Sequence, residues 1–419
     1  MLEYLKMQNV SGCHMRKIAT LIREGIMVVF AQVAAFALQP VLNRRNIWIV
    51  SEKKTEARDN GYHFFKYICT QKPELNAYYV IQVGAADEER VRNLGHVIPY
   101  DSLRHCIYFF AAKYRVCSQT HGVSPFNEHT GVVRRLRFYR RKNQYQINLK
   151  HGISKDFRDA FDFRKLGFDL YICGAEPEYH YIKETFRYPE RNIALTGFCR
   201  FDALYDLPET EKIILVMPTF REWLRTSDSA KNQASEQEIN SFKDSKYYRY
   251  YAGFLSDTRL IDIVRDNGYK VVFYLHYTFQ PYTGVFDELL TSEQKEYVII
   301  AKRNEFDVQD LLKRAAVLVT DYSSVFFDFS YMYKPVIYCQ FDEAEYREKH
   351  YQEGYFVYKR DGFGPVVTTA DETFVCLREL MERGMRMDDA YRCRVNSFFN
   401  PHDAHNCERV YNAILRLDV

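Results

Sequence analysis

The chain has 419 residues, 47% hydrophobic and 27% charged, which excludes a disordered or fibrous polymer and leaves room for roughly two to four domains. Its 58 Lys+Arg against 55 Asp+Glu give a net charge of +3, too little for a dedicated nucleic-acid binder. The ten cysteines are scattered, none forms CxxC, and several lie inside apolar runs; they read as reduced thiols of a cytoplasmic protein, not as a disulfide framework.

In chain order, the first feature is the apolar run from Ile26 to Leu42, with Arg16, Lys17 and Arg23 before it and Arg44 and Arg45 after it. It falls short of the roughly 20 apolar residues of a spanning helix, and it contains Gln32, Gln39 and Pro40. It fits a peripheral helix lying on the cytoplasmic membrane face, with basic flanks toward anionic headgroups. The alternative is a buried first helix of the fold.

From Asn46 onward, short β-branched runs alternate with helix-length stretches. Strands are predicted at Ile47–Val50, Tyr78–Val83, Tyr114–Cys117, Gln146–Leu149, Leu170–Cys173 and Ile193–Leu195. A second set is predicted at Ile213–Met217, Lys270–Leu275, Tyr297–Ile300, Val317–Thr320 and Val336–Tyr338. Helices are predicted at Glu56–Cys69, Ser102–Ala112, Leu260–Asn267 and Asp307–Arg314. This alternation implies α/β architecture with parallel sheets covered on both faces. About eleven strands exceed one ordinary domain, so two Rossmann-like halves are expected, breaking near Leu204–Thr210. The polar stretch Thr226–Ser245 reads as a surface loop or lid. The cluster Tyr247–Tyr251 that follows could serve core, interface or acceptor.

Polar groups mark five strand ends. Val317–Thr320 runs into Asp321, a tight loop with Ser323 and Ser324, and then a helix bearing Asp328. Ligands of open α/β sheets bind at carboxyl strand ends, and a helix N-terminus favours phosphate. Asp328 is one turn further on, in reach of a ribose or base edge. Simple serine N-capping is the plain alternative. A second strand ends at His151-Gly152, followed by Ser154 and Lys155. Glycine permits close approach of a ligand, and histidine can act as a general base; a satisfied structural histidine is the alternative. At Val216–Arg221, Pro218 stops the strand and Thr219 and Arg221 project, the arginine suited to bidentate phosphate contact. His276 ends a fourth strand. Thr196-Gly-Phe-Cys-Arg200-Phe-Asp202 closes the first half. All five point to one cleft between the halves.

With these motifs the chain resembles the CDP-glycerol glycerophosphotransferase family, which includes teichoic-acid primases and polymerases. Asp321-Tyr-Ser-Ser-Val-Phe-Phe-Asp328 is similar to that family's hallmark. Thr196–Asp202, Pro218-Thr-Phe-Arg221, His151-Gly152 and Leu275-His276 follow in matching form. Trp48-Ile-Val-Ser-Glu52 and Asp59-Asn60-Gly61 also look familial. Lys150, Ile153-Ser154, Cys199 and Tyr277 depart from the family's usual residues.

The resemblance implies a glycosyltransferase-B type fold. Residues 1–45 would be a membrane-associating segment, 46–204 an acceptor domain and 205–419 a donor domain, with the last helix packing back on the first half. It implies transfer of glycerol phosphate from CDP-glycerol to a lipid-linked glycan or polyol-phosphate acceptor, with release of CMP and with no cofactor or metal. His151 would be the general base. His276, Arg200 and Arg221 would stabilise diphosphate charge. Ser323, Ser324 and Asp328 would hold the nucleotide, with Gly152, Ser154, Lys155, Pro218, Thr219 and Asp321 completing the substrate contacts. A CDP-ribitol transferase, a nucleotide-sugar glycosyltransferase of the same fold and a non-catalytic membrane scaffold are the alternatives.

Three further patterns stand apart. His402, His405 and Cys407 tempt a zinc reading but lack an evident fourth ligand. His121-Gly122 mimics the second histidine-glycine pair and reads as a structural turn or, at most, an acceptor-side loop. Arg134, Arg135, Arg137, Arg140, Arg141 and Lys142 form a basic island, either a solvated face or a surface for anionic lipid or acceptor phosphate.

Overall fold

The computed structural model describes residues 2–42, 46–127, 130–135, 143–205, 210–226, 234–303 and 305–418; the side chains of residues 2–17 and 134–135 are outside the description. Two all-parallel sheets carry the fold. The first comprises β1 (Trp48–Ser51), β2 (Ala77–Ile81), β3 (His96–Pro99), β4 (Tyr114–Cys117), β5 (Tyr145–Asn148), β6 (Leu170–Cys173) and β7 (Ile193–Leu195). The second comprises β8 (Ile213–Met217), β9 (Lys270–Tyr274), β10 (Val298–Ala301), β11 (Val317–Thr320), β12 (Val336–Cys339) and β13 (Val366–Val367). Their orders are β3-β2-β1-β4-β5-β6-β7 and β10-β9-β8-β11-β12-β13.

The central strands are buried along their whole length, as β1, β8 and β11 show. A parallel strand flanked by helices needs apolar residues on both faces, so its sequence is a continuous rather than an alternating apolar run. In each sheet the strand order reverses beside its first strand, between β1 and β4 and between β8 and β11. Such switch points open a crevice at the carboxyl ends of the strands. All eleven expected strands are present with ends shifted by a few residues. The two additional ones, β3 and β13, are an edge strand with mixed exposure and a two-residue strand.

The polar stretch before Ser245 is not wholly a loop. Glu236–Lys243 is a helix closed by a Ser235/Glu238 capping box, while residues 227–233 lie outside the described residues. The tyrosine cluster belongs to the helix Lys246–Ser256, and Tyr247 and Tyr251 are core.

The N-terminal helix Leu2–Ala37 is buried along one stripe only. Val28, Ala31 and Ala35, at helical spacing, pack on Cys106, Phe109 and Phe110 of the helix Leu103–Ala111. Leu21 and Met27 pack at the edge of this stripe, and Ile22, Ile26, Val29, Phe30, Val33 and Phe36 are exposed. Ile18–Ala37 is long and apolar enough to cross a membrane by length and composition.

The C-terminal helix Asn406–Leu415 packs back on the first sheet, where Tyr411 stacks on Trp48 with ring centroids 5.9 Å apart. Asp202, in the turn after β7, caps this helix by accepting from the Asn406 and Cys407 amides at 2.7 and 2.9 Å. Gly197 in the same turn has φ +77, and a Cβ there would meet Asn406 Oδ1 at 1.7 Å, so only glycine fits.

Candidate active site

The loops at the carboxyl ends of the two sheets meet in one cleft. On the first half, β5 ends at Asn148, whose Oδ1 accepts the Lys150 amide at 2.8 Å. Lys150 takes a left-handed conformation (φ +59) that turns the chain and presents His151, whose side chain is 70% exposed. His151 Nδ1 lies 2.5 Å from Asp59 Oδ2, in the loop after β1. Asn60 stitches the two loops, donating to Lys150 O at 2.9 Å. Arg200 Nη1 donates to Asp59 Oδ1 at 2.9 Å and to His151 O at 2.8 Å. Burial works against ionisation of Asp59, but the His151 and Arg200 charges hold its carboxyl down at about 2.

Two groups of the second half face these residues. His276, at the end of β9, is half-buried and stacks on Phe220, with centroids 4.6 Å apart. Burial, reinforced by the charges of Lys53 and His151, lowers its pKa to about 3, so it is a neutral imidazole at neutral pH. The Thr278 amide donates to its Nδ1 at 3.3 Å, which assigns the proton to Nε2. Phe220 meets His350 edge-on at 4.8 Å, and burial lowers that histidine to about 4. Ser323 is half-buried and Ser324 exposed. Ser324 occupies the N-cap position of the helix Val325–Tyr331 without capping it, so the capping alternative does not hold. Gly152 lies opposite: a Cβ there would be 3.5 Å from Ser324 Oγ.

Several expected substrate contacts are structural. Arg221 is fully buried; its Nε and Nη2 bind Asp342 at 2.8 and 2.9 Å, Nη2 also reaches Asp321 at 2.9 Å, and Nη1 donates to Thr219 O at 2.6 Å. Its guanidinium is enclosed by these partners and has no exposed face. Asp321, also fully buried, accepts the Thr219 and Tyr322 amides at 2.8 and 2.5 Å. Pro218 and Thr219 are buried in the same tie between β8 and β11. Arg200 and Asp328, 4% and 5% exposed, form a bidentate pair at 2.5 and 2.9 Å, so Arg200 does not offer its charge to a diphosphate and Asp328 is not free for a ribose. Ser154 accepts from Lys150 Nζ at 2.8 Å and donates its amide to the buried Glu178 at 2.5 Å. Lys155 is buried, paired with Asp156 beneath Tyr358. The residues left facing the cleft are His151, Gly152, His276, Ser323 and Ser324.

The loop after β1 brings together charged groups that no motif marks. Lys53 and Arg303, from opposite halves, both bind Glu56, at 3.0 and 2.7 Å, and both lie over the exposed Tyr277 ring. Nothing in their local sequence announces them. Asp59 was visible only as part of a familial pattern.

The remaining patterns resolve as follows. His402 is held by Tyr331 O at 2.7 Å and Cys407 packs against Cys199, and among the described residues no group of three or more His, Cys, Asp or Glu is placed to hold a metal. Gly122 is packed against Glu52, a structural turn. Of the basic island, residues 136–142 and the side chains of Arg134 and Arg135 lie outside the described residues.

Two Rossmann-like sheets whose switch points meet across a cleft, with strand-end histidines facing uncapped serines, define an α/β transferase architecture of the glycosyltransferase-B type. Residues 31–416 match the model of the CDP-glycerol:poly(glycerophosphate) glycerophosphotransferases, and the chain belongs to that family. It is 33% identical over 422 residues to the minor teichoic acid biosynthesis protein GgaB of Bacillus subtilis (strain 168), covering 99% of this chain and 44% of GgaB. It is 26% identical over 206 residues to a teichoic acid poly(ribitol-phosphate) polymerase of Bacillus spizizenii, covering 43% of this chain and 31% of that protein. The chain thus spans less than half the length of both. Its fold is that of the wall teichoic acid polymerase TagF, with a TM-score of 0.64 and 17% identity over 96% of this chain and 95% of that one. A histidine variant of TagF soaked with CDPG gives 0.62 and 16% over 96% of both chains.

Proposed function

We propose that the chain transfers glycerol phosphate from CDP-glycerol to a hydroxyl of a membrane-linked teichoic-acid acceptor, releasing CMP. The carrying observation is His151, held at a strand end by Asp59, with its neighbour Gly152 against Ser324 and its charge acting on His276 of the second half. His151 Nε2 takes the acceptor proton. The acceptor oxygen bonds to the phosphorus bearing glycerol, and the bond from that phosphorus to the bridging diphosphate oxygen breaks. His276, neutral, donates a hydrogen bond to the diphosphate, and the Ser323 and Ser324 hydroxyls supply further donors. Transfer of this kind relies on in-line positioning and neutralisation of charge more than on covalent catalysis. No cofactor or metal takes part.

A second reading, with CDP-ribitol as donor, is favoured by the likeness to a poly(ribitol-phosphate) polymerase. The uncovered face of the N-terminal helix and its basic flanks support a peripheral place on the cytoplasmic membrane face. The test is nucleotide release with each donor in turn, CMP from CDP-glycerol or CDP-ribitol and UDP from UDP-sugars, each with a lipid-linked disaccharide acceptor, followed by product sizing. CDP-glycerol should be turned over fastest. Absence of CMP release with either CDP-polyol overturns the transferase reading.

A further inference from the structure

Asp59 is built into place by the turn that follows β1. Glu52, the first residue after β1, is buried and accepts three amides: Arg58 at 2.8 Å, Asp59 at 2.8 Å and Tyr62 at 2.7 Å. Gly61 lies against Glu52, where a Cβ would come within 2.8 Å of both its Cγ and Ser51 O. This loop stands at the switch point of the first sheet and aims one carboxylate oxygen of Asp59 at His151 and the other at Arg200. Arg200 then continues to Asp328, four residues after Ser324 on the second half.

We propose that Asp59 is the positioning residue of His151, fixing the Nδ1–H tautomer so that Nε2 is the proton acceptor, and that Arg200 and Asp328 tie this pair to the segment carrying Ser324. The inference rests on the reading of His151 as the base. A neutral imidazole has one donor nitrogen and one acceptor nitrogen, and the acceptor it meets decides which is which. A carboxylate can only accept, so Asp59 draws the proton to Nδ1 and leaves the lone pair on Nε2, the nitrogen not engaged by Asp59. When Nε2 takes the acceptor hydroxyl proton, the imidazolium keeps Nδ1–H on Asp59, which stays ionised beside Arg200. The alkoxide oxygen bonds to phosphorus, and CMP leaves with the electron pair of the broken phosphorus–oxygen bond. Arg200 neutralises the resting negative charge of Asp59 without competing for the oxygen that faces His151. Because the same guanidinium holds Asp328, the position of the base is referenced to the second half.

The test reads the tautomer directly. Two-bond proton–nitrogen correlation spectra of histidine-labelled full chain, assigned by the difference from His151→Gln, should show His151 as the Nδ1–H tautomer in the unmodified protein. Asp59→Asn should populate the Nε2–H form. In CMP-release assays Asp59→Asn should lower kcat by about 10²–10⁴-fold, the scale of general-base catalysis, with KM for CDP-glycerol unchanged. Combined with His151→Ala it should cost nothing beyond His151→Ala alone, because the carboxylate acts through the histidine. An Nε2–H tautomer in the unmodified protein overturns the inference, as does full turnover by Asp59→Asn. The tautomer measurement needs no turnover and no variant at Asp59. If the unmodified chain releases no CMP, the transferase reading falls while the spectra still decide the role of Asp59.

Discussion

Arg200 and Asp328 join the two halves through a bidentate pair, Nε to Oδ1 at 2.5 Å and Nη2 to Oδ2 at 2.9 Å, with both side chains almost fully buried. The residues are 128 positions apart, Arg200 in the turn after β7 and Asp328 in the helix after β11, so this contact forms only when the halves are in register. The pair also borders the reacting groups, since Arg200 holds Asp59 and the His151 carbonyl.

Asp328→Ala should therefore leave a buried guanidinium with one carboxylate fewer and cost about 3–5 kcal/mol, the usual penalty for halving a buried ion pair. Replacing both partners by apolar residues, Arg200→Met with Asp328→Leu, should be less destabilising than Asp328→Ala, because no buried guanidinium is left short of a carboxylate and Asp59 keeps His151. Denaturant unfolding of the three chains checks this ordering. The double variant should nevertheless be slow in CMP release, because Asp59 has lost its second partner.

Arg221 separates a fold lesion from a binding lesion. Its removal strands Asp321 and Asp342, both buried, among Tyr247, Tyr322 and Tyr346. Arg221→Ala should lower stability by about 3–5 kcal/mol, while the fraction that stays folded keeps its KM for CDP-glycerol. Arg221→Lys should not restore stability, because a single ammonium cannot reproduce the fork that meets two carboxylates and a carbonyl. A rise in donor KM with unfolding midpoint unchanged would return this residue to the substrate site.

The contrast between Arg221 and His151 shows what sequence can carry. A strand end followed by His151-Gly152 is local, and local patterns survive folding; so do the apolar runs of the parallel strands. An arginine at a strand end announces a bidentate cation but not its partner. Here the partners of Arg221 are Asp321 and Asp342, and those of Arg200 are Asp59 and Asp328, each 100 or more residues away. Such pairings depend on which loops meet across the cleft. β13 escaped because two residues make no pattern, and β3 because its exposed His96 and its Pro99 break the apolar run. The N-terminal helix was read as either buried or membrane-facing because periodicity alone does not say how wide a stripe its neighbour covers.

Acid should destabilise the chain through its buried histidines. His105 is fully buried, receiving the Asp101 amide on Nδ1 at 3.1 Å, with Nε2 2.9 Å from Val123 O, and burial lowers its pKa from 6.5 to about 4. The unfolded chain takes up this proton near pH 6.5 and the folded chain only near 4. The contribution is therefore complete above pH 6.5 and falls away as pH drops toward 4, by about 3 kcal/mol in all at 1.36 kcal/mol per unit. Lower pKa values at His276 and His350 act in the same direction. Unfolding free energy measured from pH 7.5 to 4.5 should decline through this window, and His105→Gln should be less stable at pH 7.5 but show a flatter decline. A pH-independent unfolding free energy would contradict this account.

The N-terminal helix predicts a separation between membrane binding and folding. Val28, Ala31 and Ala35 hold it against the body of the protein, while Phe30 and Phe36 are 58% and 74% exposed on its other side. A helix fixed to a globular body by one stripe can enter the headgroup region with its free face and still keep its packing. Phe30→Asp with Phe36→Asp should abolish flotation with vesicles containing anionic lipid and leave the thermal midpoint unchanged. Ala31→Asp should do the reverse of this on stability, because it places a charge without a partner in the packed stripe. High salt should weaken flotation of the unmodified chain if the basic residues of this segment meet anionic headgroups, and alkaline carbonate should extract a chain attached in this way. Flotation that survives both aspartates would assign attachment to another surface. Resistance to carbonate would mean that the helix crosses the bilayer, which its packed stripe could do only by leaving the helix Leu103–Ala111.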